Sequence, residues 1–251
     1  MEILPIITPL LKPGDDLAHI LMERGGIAEG DIVVISSKAV ATTEGAAIDL
    51  SSVVAEKEAM DLRKKYDKTA QYYQAIINET KRMNGQFIQT VDGIVLTELR
   101  PDGMTHGSIL VPNAGLDRSN IDDGYVIGWP QDPVASGEKL QQQFAIPRTA
   151  VIITDSGLCP RRRGVMAFAL TVCGIDPLQS MVGTPDLFGQ ELGVTEEAIA
   201  DQLATAANFM MGNGDQSCPA AIIRGHNLTF TDFSGWVPGI EREKDIYYGV
   251  I

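Results

Sequence analysis

The run Val151-Ile152-Ile153 constrains this chain more than any other stretch. Three consecutive β-branched apolar residues predict a buried strand. The run stops at Thr154-Asp155-Ser156-Gly157, so a carboxylate, a hydroxyl and a glycine emerge together at the strand's end. Pro160 and three arginines, Arg161, Arg162 and Arg163, follow and close with Gly164. Ligands collect at strand ends in open α/β sheets. An acid delivered to a strand mouth, with a basic loop behind it, is a place to hold a metal and phosphates. The same residues also describe a strand, a turn and a solvated loop, and both readings stand at this point.

The rest of the chain supplies further elements in order. Ile3–Leu11 reads as an early strand interrupted by Pro5 and Pro9, and Lys12–Asp16 turns into a helix over Leu17–Glu23 with Asp15 as its cap. Asp31–Ser36 is a second buried strand. Ser37 and Lys38 follow it, suited either to phosphate or to a plain capped turn. Ser52–Tyr66 and Thr69–Met83 carry apolar residues at helical spacing. Phe87–Leu99 and Ser108–Val111 alternate like an antiparallel pair, linked by the turn signal Arg100-Pro101-Asp102-Gly103. The second strand runs into Asn113–Asn120, a glycine-containing loop with one carboxylate and two amides. Ala135–Phe144 reads as a helix capped by Ser136, and Val165–Gly174 as a strand. Thr195 is placed to cap a helix that starts at Glu196-Glu197 and runs to about Met211. Ala220–Arg224 is a late strand, and the tail from Gly225 reads as loop-rich.

Composition enters as a filter. A formal net charge of −13 argues against a nucleic-acid-binding surface and makes the three adjacent arginines stand out. Cys159, Cys173 and Cys218 are an odd number without CxxC spacing, which fits a reduced cytoplasm and gives no zinc signature. The apolar N-terminus lacks a basic n-region, and no apolar run approaches the roughly 20 residues that cross a bilayer. The expectation is a soluble cytoplasmic protein with no membrane partner. Trp129 and Trp236 lie in predicted loops, suited to packing on a ligand ring or to simple burial.

Taken together, these stretches resemble the coenzyme F(420):L-glutamate ligase family, the γ-glutamyl ligases of deazaflavin biosynthesis. The resemblance rests on Pro9–Asp16, on Ser37-Lys38 through Glu44-Gly45, and on Asn113–Asn120. It continues through Ile153–Ser156, Pro185–Gly189, Val194–Asp201, Met211-Gly212 and Ile222–Gly225, all in the family's order. It implies an α+β fold of two lobes without a clear linker, the whole of residues 1–251 forming one ligase-like unit.

The resemblance further implies a GTP-dependent ligase that activates a carboxylate as an acyl phosphate and joins it to the amine of L-glutamate. The implied acceptor is a coenzyme precursor, the implied metal Mg2+ or Mn2+ with K+ as an optional further cation, and the implied assembly a homodimer. By the same resemblance Asp117 and Asp155 are the catalytic carboxylates and hold the metal, with Ser156 giving an oxygen where relatives have threonine. Pro9, Leu10, Leu11, Ser37, Lys38, Asn120, Met210, Met211, Gly212, Asn213, Gly214 and Asp215 surround the nucleotide. Several cations usual in relatives are replaced here by Thr42, Ala46, Cys159, Val182 and Gln190. A folate-type γ-glutamate ligase and a non-catalytic nucleotide-binding homologue are the alternatives.

Overall fold

The computed structural model describes residues 1–250. In chain order the strands are β1 (Glu2–Ile6), β2 (Ile32–Ser36), β3 (Ile48–Asp49), β4 (Gln86–Val91), β5 (Ile94–Leu99), β6 (Ile109–Pro112) and β7 (Tyr125–Val126). They continue with β8 (Ala150–Leu158), β9 (Val165–Ile175), β10 (Gln179–Ser180), β11 (Glu196–Glu197), β12 (Ala220–Arg224) and β13 (Phe230–Trp236). The helices are α1 (Leu17–Gly25), α2 (Ser37–Thr43), α3 (Lys57–Lys65), α4 (Ala70–Arg82), α5 (Pro133–Phe144) and α6 (Ile199–Met211). The fold is α+β, as expected.

A six-stranded sheet in the order β1-β12-β2-β8-β9-β13 forms the centre. Its neighbours are antiparallel except β2 and β8, which run parallel with Ser36 opposite Thr154. The β-branched runs explain its position. Residues alternate strictly between the two faces of a strand, so Val33, Ile35, Val151 and Ile153 enter one core while Ile32, Val34, Ala150 and Ile152 enter the other. Helix α6 covers the second face through Leu203 and through Ala200, Ala204 and Ala207, whose small side chains let it lie close to the sheet. The first face packs on Leu17 and Leu21 of α1 and on Leu140 and Phe144 of α5. That core continues without a break into α4 and the three-stranded sheet β4-β5-β6. Burying one such aliphatic side chain contributes about 1.5–3 kcal/mol.

Several local expectations are corrected. Asp16, not Asp15, caps α1, accepting from the His19 amide at 3.0 Å, while Asp15 accepts from the Lys12 amide at 2.7 Å. Asp132, not Ser136, caps α5, with Pro133 in the first turn; Ser136 lies one turn inside. The run at Ser37–Thr43 is a helix rather than a turn. The expected strand Phe87–Leu99 is a hairpin broken at Asp92-Gly93, where both residues take positive φ (49° and 76°). Glu196-Glu197 is a strand paired with Gln179-Ser180, and α6 starts only at Ile199 with no side-chain cap. The tail is not all loop, because Phe230–Trp236 adds an edge strand to the central sheet. No described helix is long and apolar enough to cross a membrane.

Candidate active site

The parallel pair β2/β8 ends in register at Ser36 and Thr154, and a cleft of about 410 Å3 opens there. Beyond Thr154 the chain does not stop as expected. Strand β8 continues to Leu158 and, paired with β9, projects as a two-stranded ribbon past the end of β2. Asp155 is the first residue of that projection and faces the cleft. The N-terminal segment Pro9–Leu11, the start of α2, the loop after β6 and the loop after α6 complete the wall.

Asp117 is placed by a loop under close backbone control. Asn113, Ala114 and Gly115 all take positive φ (53°, 54° and 75°). Side-chain bonds to β5 hold this unusual run: Asn113 Oδ1 accepts from the Val95 amide at 3.1 Å, and the Ala114 amide donates to Thr97 Oγ1 at 3.2 Å. Asp117 then exchanges two backbone bonds with Ile127, at 2.8 and 3.0 Å. Its carboxylate accepts from Lys38 Nζ and, at Oδ2, from Ser119 Oγ at 2.6 Å. Oδ1 accepts from the amides of Arg118 and Ser119 at 2.6 and 2.9 Å. Partial burial pushes its pKa up, but Lys38 and the Ser119 donors outweigh that and hold it below the usual carboxylate value.

Asp155 is held differently. Oδ1 accepts from the Ser156 amide at 2.8 Å and Oδ2 from Trp129 Nε1 at 2.6 Å. Burial pushes its carboxyl up to about 6 against the pull of the Trp129 and Ser156 donors, and the negative charge of Asp117 adds to the rise. The site therefore contains one carboxylate satisfied by an ammonium and one short of positive charge. Tyr72, beneath Arg118, has its hydroxyl pushed up to about 12, by burial first and by Asp117 second.

Of the residues singled out in the sequence, Pro9, Leu10, Leu11, Lys38, Asp117, Asn120, Asp155 and Ser156 line the cleft. Met211, Gly212, Asn213, Gly214 and Asp215 line it as well. Two are not on the wall: Ser37 is buried at the start of α2, and Met210 faces away on α6, 41% exposed. Arg161, Arg162 and Arg163 sit in the exposed turn between β8 and β9 and do not reach the wall. Lys38 is the one Lys or Arg among the described residues of the lining.

Sequence reasoning missed Ser119, which accepts from Lys38 Nζ at 2.8 Å and donates to Asp117. Gln216 shapes the loop after α6, its Oε1 accepting from the Gly214 amide at 2.8 Å. Asn120 ties that loop to the Asp117 loop, donating from Nδ2 to Gly214 O at 3.1 Å. Trp129, suited by sequence to a ligand platform or to burial, is core, 3% exposed, with its N–H on Asp155. The available signal was that a buried indole N–H requires an acceptor.

Two carboxylates and the Ser156 hydroxyl on one cleft are hard oxygen donors, and Asp155 lacks a cation in direct contact. Among the described residues no group of three or more His, Cys, Asp or Glu is placed to hold a metal. In Mg2+-type sites one or two carboxylates hold the ion and phosphate oxygens complete it. The residues fit such an ion when a phosphate-bearing ligand is present.

The family described as "F420-0:Gamma-glutamyl ligase" matches residues 5–225. A protein of Methanothermobacter thermautotrophicus named "Coenzyme F420:L-glutamate ligase" is 34% identical over 251 residues, covering 96% of each chain. A protein of the same name from Methanocaldococcus jannaschii is 35% identical, covering 98% of this chain and 96% of its own length. One from Archaeoglobus fulgidus is 33% identical over 232 residues, covering 91% and 89%.

Proposed function

This chain belongs to the F420-0:gamma-glutamyl ligase family, and from that membership we propose that it joins the amine of L-glutamate to a carboxylate-bearing coenzyme precursor at the expense of GTP. The observation that carries this reading is convergence. Segments around residues 9–11, 38, 117–120, 155–156 and 211–217, far apart in sequence, share one cleft at the ends of the parallel strands.

In the proposed reaction an acceptor carboxylate oxygen attacks the terminal phosphorus of GTP, and GDP leaves. The glutamate amine then attacks the acyl carbon, phosphate leaves, and the nitrogen loses its proton to give the amide. Such transfers depend on positioning and charge neutralisation more than on covalent help. Asp117, Asp155 and the Ser156 hydroxyl would hold Mg2+ or Mn2+, which neutralises phosphate charge when bound. Lys38 is the side chain available to follow charge from Asp117 to a phosphate. Gly212 and Gly214 leave room for backbone amides to approach the nucleotide.

Calorimetric titration of GTP with and without Mn2+ tests the reading. Metal-dependent binding is expected in the wild type and is expected to vanish in Asp117→Asn. No nucleotide binding under either condition would overturn the catalytic reading and leave family membership alone standing.

The proposal extends to a homodimer. Support comes from segment 181–195, between β10 and β11, which leaves Val182, Leu187, Phe188 and Val194 exposed, and from Leu158, Val165 and Met166 on the projecting ribbon. Apolar side chains in that number call for a partner surface. Sedimentation equilibrium is expected to give twice the 27.1 kDa chain mass; a monomer that persists at micromolar concentration would refute the assembly.

A further inference from the structure

Trp129 lies in the loop between β7 and α5, outside the cleft wall, yet it reaches the cleft through one bond, Nε1–H to Asp155 Oδ2 at 2.6 Å. The Ser156 amide takes the other oxygen at 2.8 Å. One donor on each oxygen fixes the carboxylate plane and leaves the remaining lone pairs for a ligand in the cleft. The indole itself is anchored on several sides. Trp236 packs against it with ring centroids 6.1 Å apart, and Trp236 Nε1 donates to Asp102 O at 3.0 Å. The Gly115 backbone closes its edge so tightly that a Cβ there would lie 2.8 Å from the ring.

We propose that Trp129 is a positioning residue that orients Asp155 for a divalent cation, an inference that rests on the ligase-site reading above. The chemistry of the donor matters. An indole N–H donates but cannot accept or ionise, so it fixes the oxygen without adding a positive charge that would oppose the cation. Asp117 is held the other way, by the ammonium of Lys38. The two carboxylates thus differ in what a metal must displace: nothing at Asp155, a lysine contact at Asp117.

The test compares Trp129→Phe with Trp236→Phe, titrating Mn2+ calorimetrically in the presence of a non-hydrolysable GTP analogue. Trp129→Phe keeps an aromatic ring and removes the N–H; its Mn2+ affinity is expected to fall about tenfold or more, as for other partners of metal ligands, with kcat falling and KM for L-glutamate unchanged. Trp236→Phe leaves the N–H on Asp155 and is expected to lose thermal stability while keeping Mn2+ affinity within about twofold. Equal affinity in Trp129→Phe and wild type, or equal losses in both variants, would overturn the proposal.

Should Trp129→Phe not fold, the indole 1H–15N signals of the wild type carry the same test. The Trp129 signal is expected to move on Mg2+ addition more than that of Trp236, and an unmoved Trp129 signal overturns the proposal. A wild type that binds no Mn2+ at all refutes the ligase-site reading instead, which is a separate outcome.

Discussion

Asp155→Asn is expected to lower ligase turnover by about a thousandfold and, in the same variant, to stabilise the metal-free protein at pH 7. Both effects come from one group. Burial raises the Asp155 carboxyl from 3.8 to about 6, so the folded protein holds a proton there that the unfolded chain has already released. The sign follows from linkage. Between about pH 4 and pH 6 the native state binds more protons at this site, so its contribution to stability falls as pH rises and is fully unfavourable above the folded pKa.

Asparagine carries no charge and escapes this penalty; its side-chain oxygen still accepts from Trp129, while its amide nitrogen gives up the bond from the exposed Ser156 amide. The expected gain at pH 7 is about 1–3 kcal/mol, shrinking to nothing near pH 4, where both forms are neutral when folded. Paired melting curves of wild type and variant at the two pH values measure it, since other carboxyl groups cancel in the difference. A variant less stable than wild type at pH 7 would show that Asp155 is not short of positive charge. The pairing of lost activity with gained stability is the behaviour of a site that holds an unfavourable charge for a ligand.

The second large effect lies at the opposite end of the same sheet. Asp31 is fully buried just before β2, and Arg224 at the end of β12 holds both of its oxygens, at 2.8 and 2.7 Å. The Ala28 amide adds a third donor at 2.7 Å, and Arg224 also donates to Gly26 O at 3.0 Å. Arg224→Ala leaves a buried carboxylate with one amide for company, and is expected to cost about 3–5 kcal/mol. Chemical denaturation measures the loss, and a cost below about 1 kcal/mol would mean that water replaces the guanidinium. Arg224→Met with Asp31→Asn is expected to recover part of the stability, because the penalty comes from the orphaned charge. Nucleotide binding by the folded variant is expected to be unchanged, because β2 separates this pair from the cleft.

The fold was legible where local pattern and tertiary demand agreed. Val151–Ile153 and Asp31–Ser36 had to be buried strands, since such runs have no exposed solution, and the acid at the mouth of β8 followed from them. Where the two disagreed, the longer-range contact won. Thr195 with two following glutamates is a strong local start for a helix, but residues 196–197 pair with 179–180 and delay α6 to Ile199. Asp92-Gly93 is a hairpin signal in its own right, hidden inside an alternation that continues on either side of it.

The sequence by itself therefore determined the long buried strands, most helices, the family, and the acidic, hydroxyl and glycine residue types that line the cleft, because each of these is written in short-range pattern or motif order. Only the tertiary structure decided that β8 lies parallel to β2, bringing Asp155 and Lys38 to one cleft with Asp117. It also decided that the two aspartates differ in charge balance, one facing Lys38 and the other an indole N–H. Those facts depend on which segments become neighbours after the chain closes loops of tens of residues. Burial and hydrogen bonding, which set a pKa, exist only once that has happened.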